Sequence, residues 1–297
     1  MKSERFTSVW ASLGLLFTAI IWGFAFVVVK DSLDWIPPIY MLAFRFTIAT
    51  LGLSLIFAVR LKNIDKTTLR YGFILGVLLF ASYVAQTIGC KYTTAGKNAF
   101  LTAVYVVVVP FLHWLINRQR TKKVHLLSAI ITIAGIGLLS LRGDFTIGMG
   151  DLLTLICGLG YAIHIVFIER YTAKRDPVLL TILQLFFAAI LSWLIAPVAE
   201  GGFPSGAFKP QIAGAMLYLG LLSTMLAFFL QNLCQKYTSP STAAVLLSTE
   251  AVFGVLFSAL LLGEQLTPRM IVGCILILFA ILISEVRTKR LSSFLNK

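Results

Sequence analysis

The chain has 297 residues, 59% of them hydrophobic and 12% charged, roughly half the charged share of a soluble domain. A mean hydropathy of +0.92 excludes a water-soluble fold, because the apolar residues exceed what a core of this size hides and come in long charge-poor runs. The net charge of +13 would suggest nucleic acid in a soluble protein, whereas in a membrane protein it can be loop charge, so its position along the chain decides.

Each crossing of the hydrocarbon layer needs roughly 20 apolar residues. In chain order the runs predict ten spans: 9–29, 37–59, 69–90, 93–116, 125–141, 148–168, 178–199, 212–234, 239–262 and 268–284. The first follows Lys2 and Arg5 as a signal peptide would, yet Trp10 to Val29 is too long for an h-region and runs into Lys30-Asp31 with no small-residue cleavage site, so a retained helix is expected. With the N-terminus in the cytoplasm, 18 of the 25 Lys and Arg fall in cytoplasmic segments and six outside, namely Lys30, Lys91, Lys97, Arg142, Lys209 and Arg269; Arg45 lies within a span. That asymmetry predicts cytoplasmic N- and C-termini and absorbs most of the excess charge without a nucleic-acid partner. Cys90, Cys157, Cys234 and Cys274 sit in or at the ends of apolar runs and read as small buried residues, with Cys90 and Cys234 at opposite membrane faces and unable to pair.

Comparison of the chain with itself shows a repeat. Leu15 to Lys30 matches Thr154 to Glu169 at an offset of 139, pairing Trp22 with Tyr161, and Arg45 then meets Gln184. Gly89 to Thr94 matches Leu233 to Ser239 at 144 to 145, which pairs Thr87 with Gln231 and Tyr105 with Glu250. Two five-helix halves follow, 1–145 and 146–297, and because five is odd the second starts on the opposite side of the membrane. The charges agree: basic Arg118-Gln119-Arg120-Thr121-Lys122-Lys123 corresponds to acidic Gly263-Glu264-Gln265-Leu266-Thr267-Pro268. The expected fold is therefore an all-α polytopic membrane protein of ten transmembrane helices in two inverted five-helix repeats.

Trp22-Gly23-Phe24-Ala25-Phe26, Pro37 through Arg45, and Leu262-Gly263-Glu264, in this order and topology, resemble the drug/metabolite transporter superfamily, specifically its EamA-type members. The first half departs from the pattern, with Asn117-Arg118-Gln119 in place of Leu-Gly-Glu. The resemblance implies a carrier of small metabolites, amino acids or drugs. It also implies a central cavity built mainly from spans 1, 3, 4, 6, 8 and 9, with span 2 at the periphery.

A charged side chain at bilayer depth costs roughly 2.5–3.5 kcal/mol, so it must face protein or a wet cavity. Glu250 and Arg45 are the two fully charged mid-span groups. Glu250 is the candidate for solute binding or proton coupling, against a purely structural carboxylate; Arg45, in the peripheral span 2, is expected to snorkel or pack. Asn98, Thr102 and Tyr105 at i, i+4, i+7 form one stripe of span 4, answered by Ser241, Thr242, Ser248 and Thr249 beside Glu250 in span 9. Tyr83, Gln86 and Thr87 in span 3 and Gln231 and Asn232 in span 8 add polar groups, each open to a pathway role or to simple interhelical hydrogen bonding. On span 6, Cys157, Tyr161 and His164 share a face; His164 has no second ligand at metal spacing and is either cavity lining or a satisfied core histidine. Trp22, Phe26, Tyr83, Tyr105 and Tyr161 can form an aromatic box, although packing is the plainer role for Phe26. Gly72, Gly76, Gly135, Gly137 and Gly273 are expected to let helices approach closely, and Pro110 to interrupt span 4.

The functional expectation is a secondary-active exporter of small organic solutes by alternating access, proton-coupled or a uniporter, without cofactor or metal. It is placed in a bacterial inner membrane, as a monomer or homodimer. No GxxxxGK[ST] occurs, so ATP is not expected as a partner, and the lack of GxSxG, HExxH or a carboxylate cluster speaks against an intramembrane enzyme. A structural or lipid-handling membrane protein stays open as an alternative, against which the internal polar stripes argue.

Overall fold

Apolar runs without water to bond must satisfy their own backbone, and helices do so within one segment. The computed structural model describes residues 2–118, 123–140, 148–204, 206, 209–269, 271–276, 278–280 and 283, and among these it is helical with no strand. Gln119 to Lys122, Arg142, residues 284–297 and parts of the predicted tenth span lie outside the described residues.

The helices are α1 (Lys2–Ser32), α2 (Pro38–Ile56), α3 (Lys66–Tyr92), α4 (Ala95–Thr102), α5 (Tyr105–Asn117), α6 (Lys123–Ser140), α7 (Met149–Thr172), α8 (Pro177–Glu200), α9 (Pro210–Leu217), α10 (Ala227–Gln235), α11 (Pro240–Leu247) and α12 (Glu250–Leu262). Among the described residues eight stretches are long and apolar enough to cross a membrane: α1 from Val9, α2, α3, α4 with α5, α7, α8, α9 through α10, and α11 with α12. Shorter apolar helices, Leu126–Gly135 and Ile271–Ala280, fall in the predicted fifth and tenth spans.

Among the described residues three spans are irregular. The fourth breaks between α4 and α5 at Ala103 and Val104, and the ninth between α11 and α12 at Ser248 and Thr249. Pro110, expected to interrupt span 4, lies inside α5, so the interruption comes earlier, where no proline or glycine stands. Between α9 and α10, Tyr218–Leu226 winds as a π-helix.

Helix starts are closed by nearby oxygens. Asp65 begins α3 by accepting from Thr68 N at 2.7 Å, and Asp176 begins α8 by accepting from Val178 N at 2.9 Å. Two helix starts borrow a carboxylate from elsewhere in the chain: Glu200 takes Ile39 N and Tyr40 N of α2 at 2.8 and 3.0 Å, and Glu264 takes Ala95 N of α4 at 3.1 Å.

Packing places the broken spans against each other, α4 on α12 and α5 on α11, with α1 along α12 and α10, and α7 along α3 and α5. α2 and α3 both lie on α8. A Cβ on Gly76 would come 2.8 Å from the Gln184 carbonyl oxygen, so α3 and α8 touch at backbone distance as the Gly72/Gly76 spacing predicts. Gly137 is different: nothing among the described residues lies within 4 Å of where its Cβ would be.

Interactions gather at two ends of the bundle. At one, Lys30 Nζ bonds the carbonyls of Thr93 and Cys90 at 2.7 and 2.9 Å, and Lys97 pairs with Asp151 at 2.5 Å. At the other, Arg60 pairs with Asp176 at 2.8 Å, Arg175 with Asp65 at 3.2 Å, and Tyr71 stacks on Tyr171 at 4.0 Å.

Candidate functional site

Both breaks end in a residue that begins the next helix, Tyr105 for α5 and Glu250 for α12. The antiparallel packing of the two broken spans brings these residues together, and the Tyr105 hydroxyl donates to Glu250 Oε1 at 2.9 Å with both side chains buried. Around them lies a cavity of about 570 Å³ lined from α1, α2, α3, α4, α5, α7, the π-helical turn, α10, α11 and α12.

Nine of the eleven pathway candidates line it: Trp22, Tyr83, Gln86, Asn98, Tyr105, Tyr161, His164, Gln231 and Glu250. Of the four pairs matched by the internal repeat, Trp22 with Tyr161, Thr87 with Gln231 and Tyr105 with Glu250 reach the same space, whereas of Arg45 and Gln184 only Arg45 does. Thr102 and Thr249 do not. Thr102 accepts from Gln86 Nε2 at 3.2 Å, and Thr249 turns its hydroxyl onto the Leu246 carbonyl at 2.7 Å. The continuous stripe expected along span 4 fails because the helix breaks between Thr102 and Tyr105, which resets the rotation of everything after it. Ser248 likewise bonds its own helix, and Asn232 bonds Thr181 at 2.7 Å between α10 and α8.

Arg45 is not at the periphery. It is 2% exposed, lines the cavity, and is held by Thr224 Oγ1 at 2.9 Å and Ser223 Oγ at 3.1 Å, with its guanidinium carbon 4.5 Å from the centre of the Tyr83 ring. The π-helix supplies these partners. Ala227 N bonds the Leu222 and Thr224 carbonyls and skips Ser223, whose carbonyl instead takes Trp22 Nε1 at 2.8 Å. Ser223, Thr224 and Phe228 carried no weight in the sequence reading, although Thr224, Phe228 and Gln231 are spaced i, i+4, i+7, the signal that would have marked one face.

Aromatic rings form the walls: Tyr83 meets Tyr161 edge-on at 5.6 Å, and Phe228 lies 5.2 Å from Trp22, 5.9 Å from Tyr83 and 6.1 Å from His164. Phe26 also reaches the cavity. Gln86 ties α3 to α7 and α4 by accepting from the Tyr161 hydroxyl at 3.2 Å while donating to Thr102. Asn98 is oriented by its neighbours. Its Nδ2 bonds the Gln86 carbonyl at 3.3 Å and Thr154 Oγ1 at 2.7 Å, and Thr154 already donates to Gly150, so Nδ2 must be the donor and Oδ1 an acceptor. Asn98 Oδ1, His164 Nδ1 and Gln231 Oε1 are buried without a partner among the described residues. His164 Nε2 bonds Gln184 Oε1 at 2.9 Å. No group of three His, Cys, Asp or Glu among the described residues is placed to hold a metal.

The family model described as "EamA-like transporter family" matches residues 9–141 and 148–285. The chain belongs to the EamA-like transporter family. Among the EamA-like relatives, a protein of Archaeoglobus fulgidus named an uncharacterized transporter is 36% identical over 285 residues, covering 96% of this chain and 89% of the relative. A probable amino-acid metabolite efflux pump of Salmonella typhimurium is 24% identical over 281 residues, covering 91% and 92%. A solved crystal structure shares the fold at a TM-score of 0.73 and 19% identity, covering 94% of this chain and 98% of its own. The protein is thus an integral membrane transporter of the EamA-like type, with membrane-crossing helices around a central cavity.

Proposed function

We propose that the protein is a secondary-active exporter that moves small organic solutes by alternating access, with ten spans in two inverted halves, 1–145 and 146–297, and both termini in the cytoplasm. The cavity at the two helix breaks is the observation that carries this reading. It presents a carboxylate (Glu250), a guanidinium (Arg45), unpartnered polar atoms and aromatic walls to one small space. That set matches amino acids and related metabolites, whose ammonium meets Glu250 and whose carboxylate meets Arg45, and whose apolar body rests on Trp22, Tyr83, Tyr161 and Phe228. Breaks at equivalent depth in spans 4 and 9 support inverted halves, since discontinuous helices at a repeat interface build carrier sites. The reading assigns proton coupling to Glu250, which releases its proton when solute takes its place beside Tyr105.

The test is exchange of radiolabelled amino acids across liposomes containing purified protein, expected without any nucleotide. Strict dependence on ATP would overturn the reading. Labelling of single cysteines at Lys123 and Arg269 is expected to report opposite membrane faces, and labelling from the same face would remove the inverted arrangement.

A further inference from the structure

At the Arg60 end a second cavity, of about 1040 Å³, opens between the end of α2, the turn from α7 to α8, and the end of α10. Its floor is apolar: Phe57 and Phe229 stack at 5.5 Å, beside Val178 and Leu233. Its rim is basic, with Arg60, Lys174, Arg175 and Lys236 set against the single carboxylate of Asp176. Ion pairs occupy two of these cations, Arg60 with Asp176 and Arg175 with Asp65. Among the described residues, Lys174 and Lys236 are exposed with no carboxylate within 4.0 Å, and Arg175 Nε is buried with no hydrogen-bond partner.

Surplus N–H donors without acceptors call for an anion, and a phosphate offers several oxygens to converging Lys and Arg side chains. The floor narrows the choice, because a fully hydrated ion gains nothing from stacked phenyl rings, whereas an amphiphile does. The rim also runs on to the apolar flank of the bundle: Ile56 is 64% and Val59 76% exposed, directly beside Phe57 and Arg60 in the chain. We propose that this cleft holds the phosphate of an anionic phospholipid, with the acyl chains lying along the exposed end of α2. The proposal is independent of which solute the central cavity carries.

Native mass spectrometry of the full-length protein, in micelles doped with equimolar phosphatidylglycerol and phosphatidylcholine, reads the site directly. Wild type is expected to retain phosphatidylglycerol at least fivefold over phosphatidylcholine. Lys174→Gln and Lys236→Gln each lower that preference about fivefold, the worth of one cation near an anionic lipid. Lys62→Gln with Lys66→Gln, exposed lysines of the same end outside the cleft, leave it unchanged. Equal retention of the two lipids by wild type overturns the proposal, as does an equal loss from both pairs of substitutions, which reports bulk charge. Displacement of bound phosphatidylglycerol by 1 mM inorganic phosphate, roughly the affinity of a simple ion pair, also overturns it and assigns the cleft to a soluble anion. The wild-type lipid ratio and the phosphate competition need no variant, so they decide the matter even if the cleft substitutions unfold.

Discussion

The two broken spans have the same construction and different chemistry. In each, a short helix of eight residues, α4 or α11, ends one turn before a 13-residue helix, α5 or α12, begins. In one the first residue after the break is Tyr105; in the other it is Glu250, and the two bond each other. Two nearby threonines also differ: Thr102, three residues before Tyr105, supports Gln86 across the interface, whereas Thr249, immediately before Glu250, satisfies only its own helix. Two breaks of the same geometry with unequal side chains place one acidic group where the two broken spans touch.

Glu250→Gln sharpens this contrast most. It removes the charge that distinguishes one break from the other, and is expected to weaken solute binding by about 1.5–3 kcal/mol, roughly ten- to hundredfold, in a scintillation-proximity assay. Tyr105→Phe removes the partner and keeps the acid; an affinity loss of about 1.5 kcal/mol, near tenfold, is expected in the same assay, and no loss would mean the phenol is only packing. Thr102→Val leaves Gln86 Nε2 without its acceptor and should lower stability by about 1 kcal/mol, seen as a fall in melting temperature. Thr249→Val should stay within about 0.5 kcal/mol, because its hydroxyl bonds only its own helix, and equal effects from the two threonines would contradict these different roles.

The smallest expected effect lies away from both breaks. Hydrogen bonds from Thr68, assisted by Arg175, hold the Asp65 carboxyl below its ordinary value of 3.8. Its stabilising contribution is therefore present above 3.8 and lost as pH falls through the lower folded-state value. The melting-temperature gap between wild type and Asp65→Asn should close as pH falls below 3.8, and a gap that widens on acidification would contradict the assignment.

Much of the architecture is legible in the amino-acid order because bilayer burial writes itself as apolar runs, and eight of the predicted spans appear as membrane-length helices. The offset of 145 makes Tyr105 and Glu250 equivalent in depth, but their contact is not legible in it and comes from the packing of the two spans. The helix breaks are not legible either. Val104 and Thr249 carry no proline or glycine, and Pro110, which does, sits inside α5 because a tertiary contact between the spans, not local propensity, sets where the chain turns. The place of Arg45 is not legible for a related reason: its partners Ser223 and Thr224 are 178 and 179 residues away, and the spacing of Thr224, Phe228 and Gln231 marks a face without saying which side chain meets it.

Uptake into proteoliposomes under an imposed pH gradient, wild type beside Glu250→Gln, tests the role of Glu250 most directly. The wild type is expected to accumulate solute against its gradient while the variant only equilibrates it; an equal response to the pH gradient from both proteins would contradict the role assigned to Glu250.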